Sequence, residues 1–412
     1  MMSISFTLVA AATLSQSAPT SWVPDAAEQT ALEALHAASG VPGMQIAVID
    51  DGEVRWHANY GVMNVETRQP VTDETLFQVA SLSKPIFAYL VLRMLEEGRI
   101  GLDDKLVDYV VPFDMPEHEW NREITVRHVM THRTGLQNWR PAAPDAAAAM
   151  VPKCKPGTCE SYSGEAFMWL QQVLETVTQK STTELLDEYI FEPGQIDASL
   201  GWRPEIGART ATGHYIDRDT GEVKAHREFG DAWGPAIQAV AERWDRDIDS
   251  WTMWDWFNAL RVAHPVSPRV ADLSFTQMSQ PTDIDAGVPG SIRASAEDYA
   301  RFMTLLMDTT PAAEWKISPQ SRHWMLSAHG ERWHDNLPGG FGLGIERKGD
   351  TRYFYHSGNN GNAFKSFMFG HPDTGRGVVV LTNGQAGDEL YWQVYDLLID
   401  EEFLSNSKPL DD

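Results

Sequence analysis

The chain has 412 residues, 42% hydrophobic and 22% charged, an ordinary balance for a soluble globular protein, and its length alone suggests two or three domains. Its 33 Lys and Arg against 58 Asp and Glu leave a net charge of −25, which repels a polyanionic backbone and excludes nucleic acid as a partner. The acidity favours solubility and says nothing about the fold.

Residues 4–14 are apolar, and Ser15-Gln16-Ser17 offers small residues for cleavage. The pattern predicts an export signal over residues 1–17, although its first residues lack Lys or Arg; the alternative is an ordinary tail. No later run approaches the length of a membrane span. Residues 26–39 have helical periodicity. Residues 44–50 and 54–60 read as strands joined at Asp51-Gly52, a hairpin signal. A strand-like run at 75–79 leads to Ser81 and Lys84, and an apolar helical run, 86–95, leads away. From 101 to 308 the chain is mainly helical or irregular, with helices predicted at 124–130 (capped by Thr125), 164–178, 182–191 and 294–307 (Ser295 and Asp298 as capping pattern). Trp233, Trp244, Trp251, Trp254 and Trp256 crowd one stretch; they suit a helical core better than an aromatic wall for a ligand. Strands are predicted again at 341–347, 352–356, 364–370 and 377–382, and a last helix at 388–403. This order implies an α+β fold: one sheet from both chain ends (25–100 and 309–403), with a mainly helical region, 101–308, inserted between them.

Ser81 and Lys84 form Ser-x-x-Lys. Residues three apart share a helix face, so hydroxyl and amine can meet. Pro85 suits a first helical turn, which puts Ser81 at a helix mouth where N–H groups and the helix dipole favour developing negative charge. A serine oxygen needs a base to take its proton, and a buried lysine with a depressed pKa can be that base. The motif alone reads first as a capping serine and a surface lysine on an ordinary helix, and the rest of the chain must reverse that. Cys154 and Cys159 flank a Pro-Gly turn that brings the sulfurs together, and in an exported protein they are expected to be bridged. Tyr162, at a loop-to-helix transition, offers a base or relay; alone it would read as a core residue. His356, Gly358 and Asn359 end a strand. A glycine there admits close approach to the strand edge, and the next N–H can help bind an oxyanion.

Together these stretches resemble the serine β-lactamase and penicillin-binding-protein superfamily. The closer resemblance, over about residues 25–400, is to the class C β-lactamase-related branch, which includes family VIII-like esterases and D-amino-acid peptidases. Residues 124–132, 191–193, 290–298 and 341–344 also look like family sequence. The resemblance implies an antiparallel sheet with helices, a helical domain, and a site in the groove between. It implies Ser81 as nucleophile, Lys84 as activating amine and Tyr162 as second base or relay. His356 and Gly358 would line the strand beside the substrate. The N–H groups of Ser81 and Asn359 would form the oxyanion hole. No metal and no cofactor are implied.

Two positions depart from the family pattern: Gly164 stands where asparagine is frequent, and His356 where lysine is. Both losses are expected to disfavour β-lactam turnover and to leave ester cleavage intact. The expected function is a periplasmic or secreted serine hydrolase working through an acyl-enzyme on esters or small amides. The alternatives are a β-lactamase or D-Ala-type peptidase on cell-wall peptides, and a non-catalytic peptidoglycan-binding protein. No Gly-x-Ser-x-Gly surrounds a serine, so an α/β-hydrolase is unsupported.

Overall fold

The structure, a computed structural model, describes residues 22–112, 115–139, 150–226, 229–263, 287–309, 311–329, 339–348, 351–399 and 404. The expected export signal, 1–17, lies outside them.

Helix α1 (Ala26–Ser39) starts at an Asp25 capping box and ends at Gly40 in the left-handed region. Strands β1 (Gly43–Asp50) and β2 (Glu53–Gly61) follow, joined by Asp51 and Gly52 at φ 52° and 73°. Two consecutive positive φ values are what a tight hairpin between right-twisted strands requires. Strand β3 (Phe77–Gln78) leads through a single 3₁₀ turn into α2 (Ser83–Glu96). The middle of the chain holds α3 (Gly164–Thr178), β4 (Ala198–Leu200), β5 (His214–Ile216), β6 (Val223–Ala225), α4 (Phe229–Trp244), α5 (Met253–Ala263), β7 (Ile292–Ala294) and α6 (Ala296–Thr304). Strands β8 (Gly344–Lys348), β9 (Thr351–Asn360), β10 (Phe364–His371) and β11 (Arg376–Thr382) then precede α7 (Gly387–Leu398).

The large sheet has the order β2-β1-β11-β10-β9-β8 with every neighbour antiparallel, so the first and last parts of the chain share one sheet. Period-two alternation divides its central strands between two cores. Ala47, Ile49, Val379 and Leu381 face the core that contains α2, α3 and α6. Met44, Ile46, Val48, Val378 and Val380 face the core under α1 and α7. A smaller sheet, β3-β7-β4, ties the residues just before Ser81 to the middle of the chain.

Several predicted elements are shorter than their patterns. The run at 75–79 forms a strand only at Phe77–Gln78. The 182–191 helix is regular over Thr182–Leu186 and widens to a π turn at Asp187–Phe191. The strand predicted from 341 begins at Gly344, because Gly342 takes φ 71° and its N–H bonds to Met130 O. Trp251 and Trp256 are buried and pack edge-on at 5.2 Å, with Trp244 against Trp251 at 5.0 Å, as core residues do. Trp254 is half-buried, and the Trp233 side chain lies outside the described residues. No helix among the described residues is long and apolar enough to cross a membrane.

Candidate active site

Ser81 sits on a forced corner. Ala80, just before it, has φ 51°, a conformation that costs a residue with a Cβ about 1 kcal/mol and marks a constrained position. Neither the 3₁₀ turn nor α2 carries a side-chain cap, so Ser81 is not acting as one. Lys84 is fully buried, which removes the reading of a surface lysine. Its Nζ lies 3.1 Å from Ser81 Oγ and donates to Pro289 O at 2.7 Å. It also lies over the Tyr162 ring, 4.7 Å from the centroid. Among the described residues no carboxylate offsets the loss of water, and burial brings its pKa down to about 7. An amine that is half neutral near pH 7 can take a proton from Ser81.

Tyr162 arrives from a long irregular segment. Two non-helical stretches, 132–138 and 153–163, are laced together with the first residue of α3. Lys153 N bonds to Gly135 O at 2.9 Å, Ser161 N to His132 O at 2.8 Å, and Gly164 N to Asn138 O at 3.1 Å. The Ser161 and Ser163 hydroxyls donate to Leu136 O and Gln137 O, each at 2.7 Å. Cys154 and Cys159 are joined, with Cα atoms 6.3 Å apart, at the start of the second stretch. Gly135, at φ 79°, has no room for a Cβ, which would meet Cys154 O at 2.7 Å. The imidazole of His132 stacks on Tyr162 at 4.3 Å and accepts from Ser163 N at 3.1 Å. The Tyr162 hydroxyl end is enclosed beside Ser81, and burial raises its pKa above the ordinary tyrosine value. Of the two bases expected from the sequence, Lys84 is therefore the one that deprotonates readily. A neutral Tyr162 is better suited to relaying a proton.

The third wall is the end of β9. Strand β8 pairs with β9 only as far as Tyr355, so the outer edge of residues 356–360 extends past its neighbour. Asn360 O accepts from Ala363 N at 2.9 Å on the β10 side. Backbone groups alternate sides along a strand, so those of Ser357 and Asn359 face the open edge. His356 is buried, with its ring 6.2 Å from that of Tyr162 and its Nδ1 2.6 Å from Ser357 O. At Gly358 a Cβ would lie 2.9 Å from both Ala80 Cβ and Val79 O, so only glycine lets the strand rest on the Ser81 turn. The Asn359 side chain is exposed and accepts from Asn362 N at 3.1 Å, which leaves its backbone as the part that faces the edge.

Ser81, Lys84, Tyr162, His356 and Gly358 thus share one site. At Gly164 a Cβ would come within 2.5 Å of the Trp139 indole, so tryptophan fills the space an asparagine side chain would need. Three contributors were given no site role by the sequence: His132, within the family-like stretch 124–132; the Pro289 carbonyl; and Asn360, whose Nδ2 donates to Gln78 Oε1 and Gly290 O, both at 2.8 Å. Among the described residues no group of three or more His, Cys, Asp or Glu could hold a metal ion.

Penicillin-binding protein 4 of Amycolatopsis lactamdurans is 26% identical over 217 residues, covering 50% of this chain and 55% of that protein. The chain spans between 44% and 60% of the length of the first curated relatives it matches. A class C beta lactamase from Rhodobacter sphaeroides superposes with TM-score 0.66 at 18% identity, over 92% of this chain and 100% of that one. EstCE1, described as a hydrolase with promiscuous acyltransferase activity, gives TM-score 0.66 at 18% identity, over 91% and 98%. At such identities the two superpositions speak for the fold, which is that of β-lactamases and penicillin-binding proteins. The Beta-lactamase family model matches residues 29–400, spanning the Ser81 turn, the Tyr162 segment and the β9 edge alike, and the chain belongs to that family.

Proposed function

We propose that this protein is a serine hydrolase acting through an acyl-enzyme on esters or small amides. The observation that carries the reading is Lys84 Nζ, 3.1 Å from Ser81 Oγ and without a carboxylate partner among the described residues, with its pKa brought down to about 7. In the reading, neutral Lys84 takes the Ser81 proton as Oγ bonds to the substrate carbonyl carbon. The oxyanion is held by the N–H groups of Ser81 and Asn359. Collapse breaks the bond to the leaving alcohol or amine, which takes a proton from Lys84 directly or through Tyr162. Water then attacks the acyl-enzyme by the same route and returns Ser81. EstCE1, a hydrolase with promiscuous acyltransferase activity and the same fold, supports acyl transfer, and Gly164 and His356 in place of asparagine and lysine favour esters over β-lactams.

The second reading, a β-lactamase or D-Ala-type peptidase, is favoured by the penicillin-binding relatives and by the open β9 edge, along which an extended peptide can lie. A non-catalytic peptidoglycan-binding protein is disfavoured, because burying Lys84 is costly and gives a silent fold nothing. The division into sheet region (25–100, 309–403) and inserted helical region (101–308), and export to the periplasm or medium, belong to the same proposal. A fluorophosphonate probe tests it: intact mass should show one adduct on the wild type and none on Ser81→Ala. An unlabelled wild type would overturn it.

A further inference from the structure

The carbonyl that holds Lys84 belongs to a tight turn, residues 287–291, and two side chains clamp that turn. On one side Asn360 Nδ2 donates to Gly290 O at 2.8 Å. On the other, Gln171 Oε1, from the middle of α3, accepts from Val288 N at 3.1 Å. Gln171 is fully buried. A primary amide has one donating end and one accepting end, so whatever takes the first decides where the second points. Gln171 Nε2 donates to Glu175 Oε1, one helical turn on, at 3.3 Å. Glu175 is itself buried and receives only donors. Its Oε1 also accepts from Thr182 N at 3.2 Å and Thr182 Oγ1 at 2.8 Å, and its Oε2 accepts from Met253 N at 2.9 Å. The Val288 N–H can only donate, so the Gln171 amide turns its oxygen toward Val288 and its Nε2 toward Glu175, whose carboxyl burial brings to a pKa of about 7.

An ordinary helix face would fill this space with leucine or methionine. A buried amide and a buried carboxylate are costly where nothing requires them. Glu175 alone would tie α3 to the residue 182 helix and to α5; only Gln171 reaches the turn that faces Lys84.

We propose that Gln171 is a positioning residue for Lys84: oriented by Glu175, its amide oxygen fixes Val288-Pro289 so that the Pro289 carbonyl holds the Lys84 amine against Ser81. The inference rests on the reading of Lys84 as the activating amine. The test is single-turnover acylation by a fluorophosphonate across pH, in the wild type, Gln171→Met, Glu175→Gln and Ser81→Ala. Methionine keeps the volume and loses the strong acceptor. Gln171→Met should acylate about tenfold more slowly at neutral pH, as expected for a misplaced base. The midpoint of its pH profile should move by about half a unit or more, since an amine freed from its carbonyl changes its surroundings. The probe concentration that half-saturates the single-turnover rate should stay within about twofold, because Gln171 touches no substrate. Glu175→Gln should show a smaller change of the same kind, because the Gln171 amide can then turn over. A folded Gln171→Met with wild-type rate and midpoint would overturn the inference while leaving the hydrolase reading intact. If Gln171→Met does not fold, the same criteria applied to Glu175→Gln decide the matter. A wild type that is never labelled would remove both.

Discussion

Ser81 and Lys84 lie on one rigid element, a single turn apart, whereas Tyr162 reaches them from a stretch with no regular structure of its own. The first pair is fixed by local geometry: the corner at Ala80, the start of α2, and burial against α3. Tyr162 is fixed by long-range lacing between 132–138 and 153–163, closed by a disulfide and backed by His132. The Ser81–Lys84 pair should therefore be hard to perturb except by direct substitution. The Tyr162 side should be tunable from a distance, and substrate preference should be set there.

The largest effect should come from the rigid side. Lys84→Met removes the base, which is worth about 10²–10⁴-fold in acylation; stopped-flow hydrolysis of a p-nitrophenyl ester should show it, and a loss under tenfold would mean another base serves Ser81. The next effect belongs to the Tyr162 side. The contacts missing at Gly164 and His356 are each worth roughly 1–3 kcal/mol, so the kcat/KM for a chromogenic cephalosporin should fall about 10²–10⁴-fold below that for a short-chain ester. Gly164→Asn alone would collide with Trp139. Combined with Trp139→Ala it should narrow the gap about tenfold, one contact's worth. Equal efficiencies in the wild type would restore the β-lactamase reading.

Tyr162→Phe should act unequally on the two steps: acylation little changed, deacylation slowed about tenfold or more. It should appear as a burst followed by low turnover. Equal slowing of both steps would make Tyr162 and Lys84 one unit. The smallest effect should come from Cys154→Ser with Cys159→Ser. Loop-closure entropy gives so short a loop less than the ~3 kcal/mol it gives a loop of about 15 residues. Thermal melting should show a modest loss, and deacylation should suffer more than acylation; the reverse order would separate the bridge from Tyr162.

The same contrast governs what could be read from the sequence. Ser81-x-x-Lys84 and the apolar run after it were legible because helical spacing alone brings the two side chains together. The Asp51-Gly52 hairpin was legible because its backbone conformation demands those residue types. Tyr162 and His356 were legible only through family resemblance, since nothing local says that a tyrosine and a strand end will meet. The places of His132, the Pro289 carbonyl and the Gln171–Glu175 pair in the site were not legible. Their roles depend on contacts across tens to hundreds of residues, and a lone histidine or a glutamine in a helix looks like any other. Trp139 filling the space beside Gly164 belongs to the same class: the sequence displays the missing asparagine but not its replacement.

In the proposed chemistry a buried Lys84 is the base for Ser81. Burial favours the neutral amine in the folded state, so the active form should accumulate as pH rises through about 7 rather than near the 10.5 of a free lysine. The most direct measurement is the pH dependence of single-turnover acylation of the wild type by a p-nitrophenyl ester, with Lys84→Met as control. With Lys84 as the base, the rate should climb with pH to a plateau with its midpoint near 7, and Lys84→Met should show a slow rate lacking that step. A wild-type profile flat between pH 5 and 9, or a step retained in Lys84→Met, would contradict it.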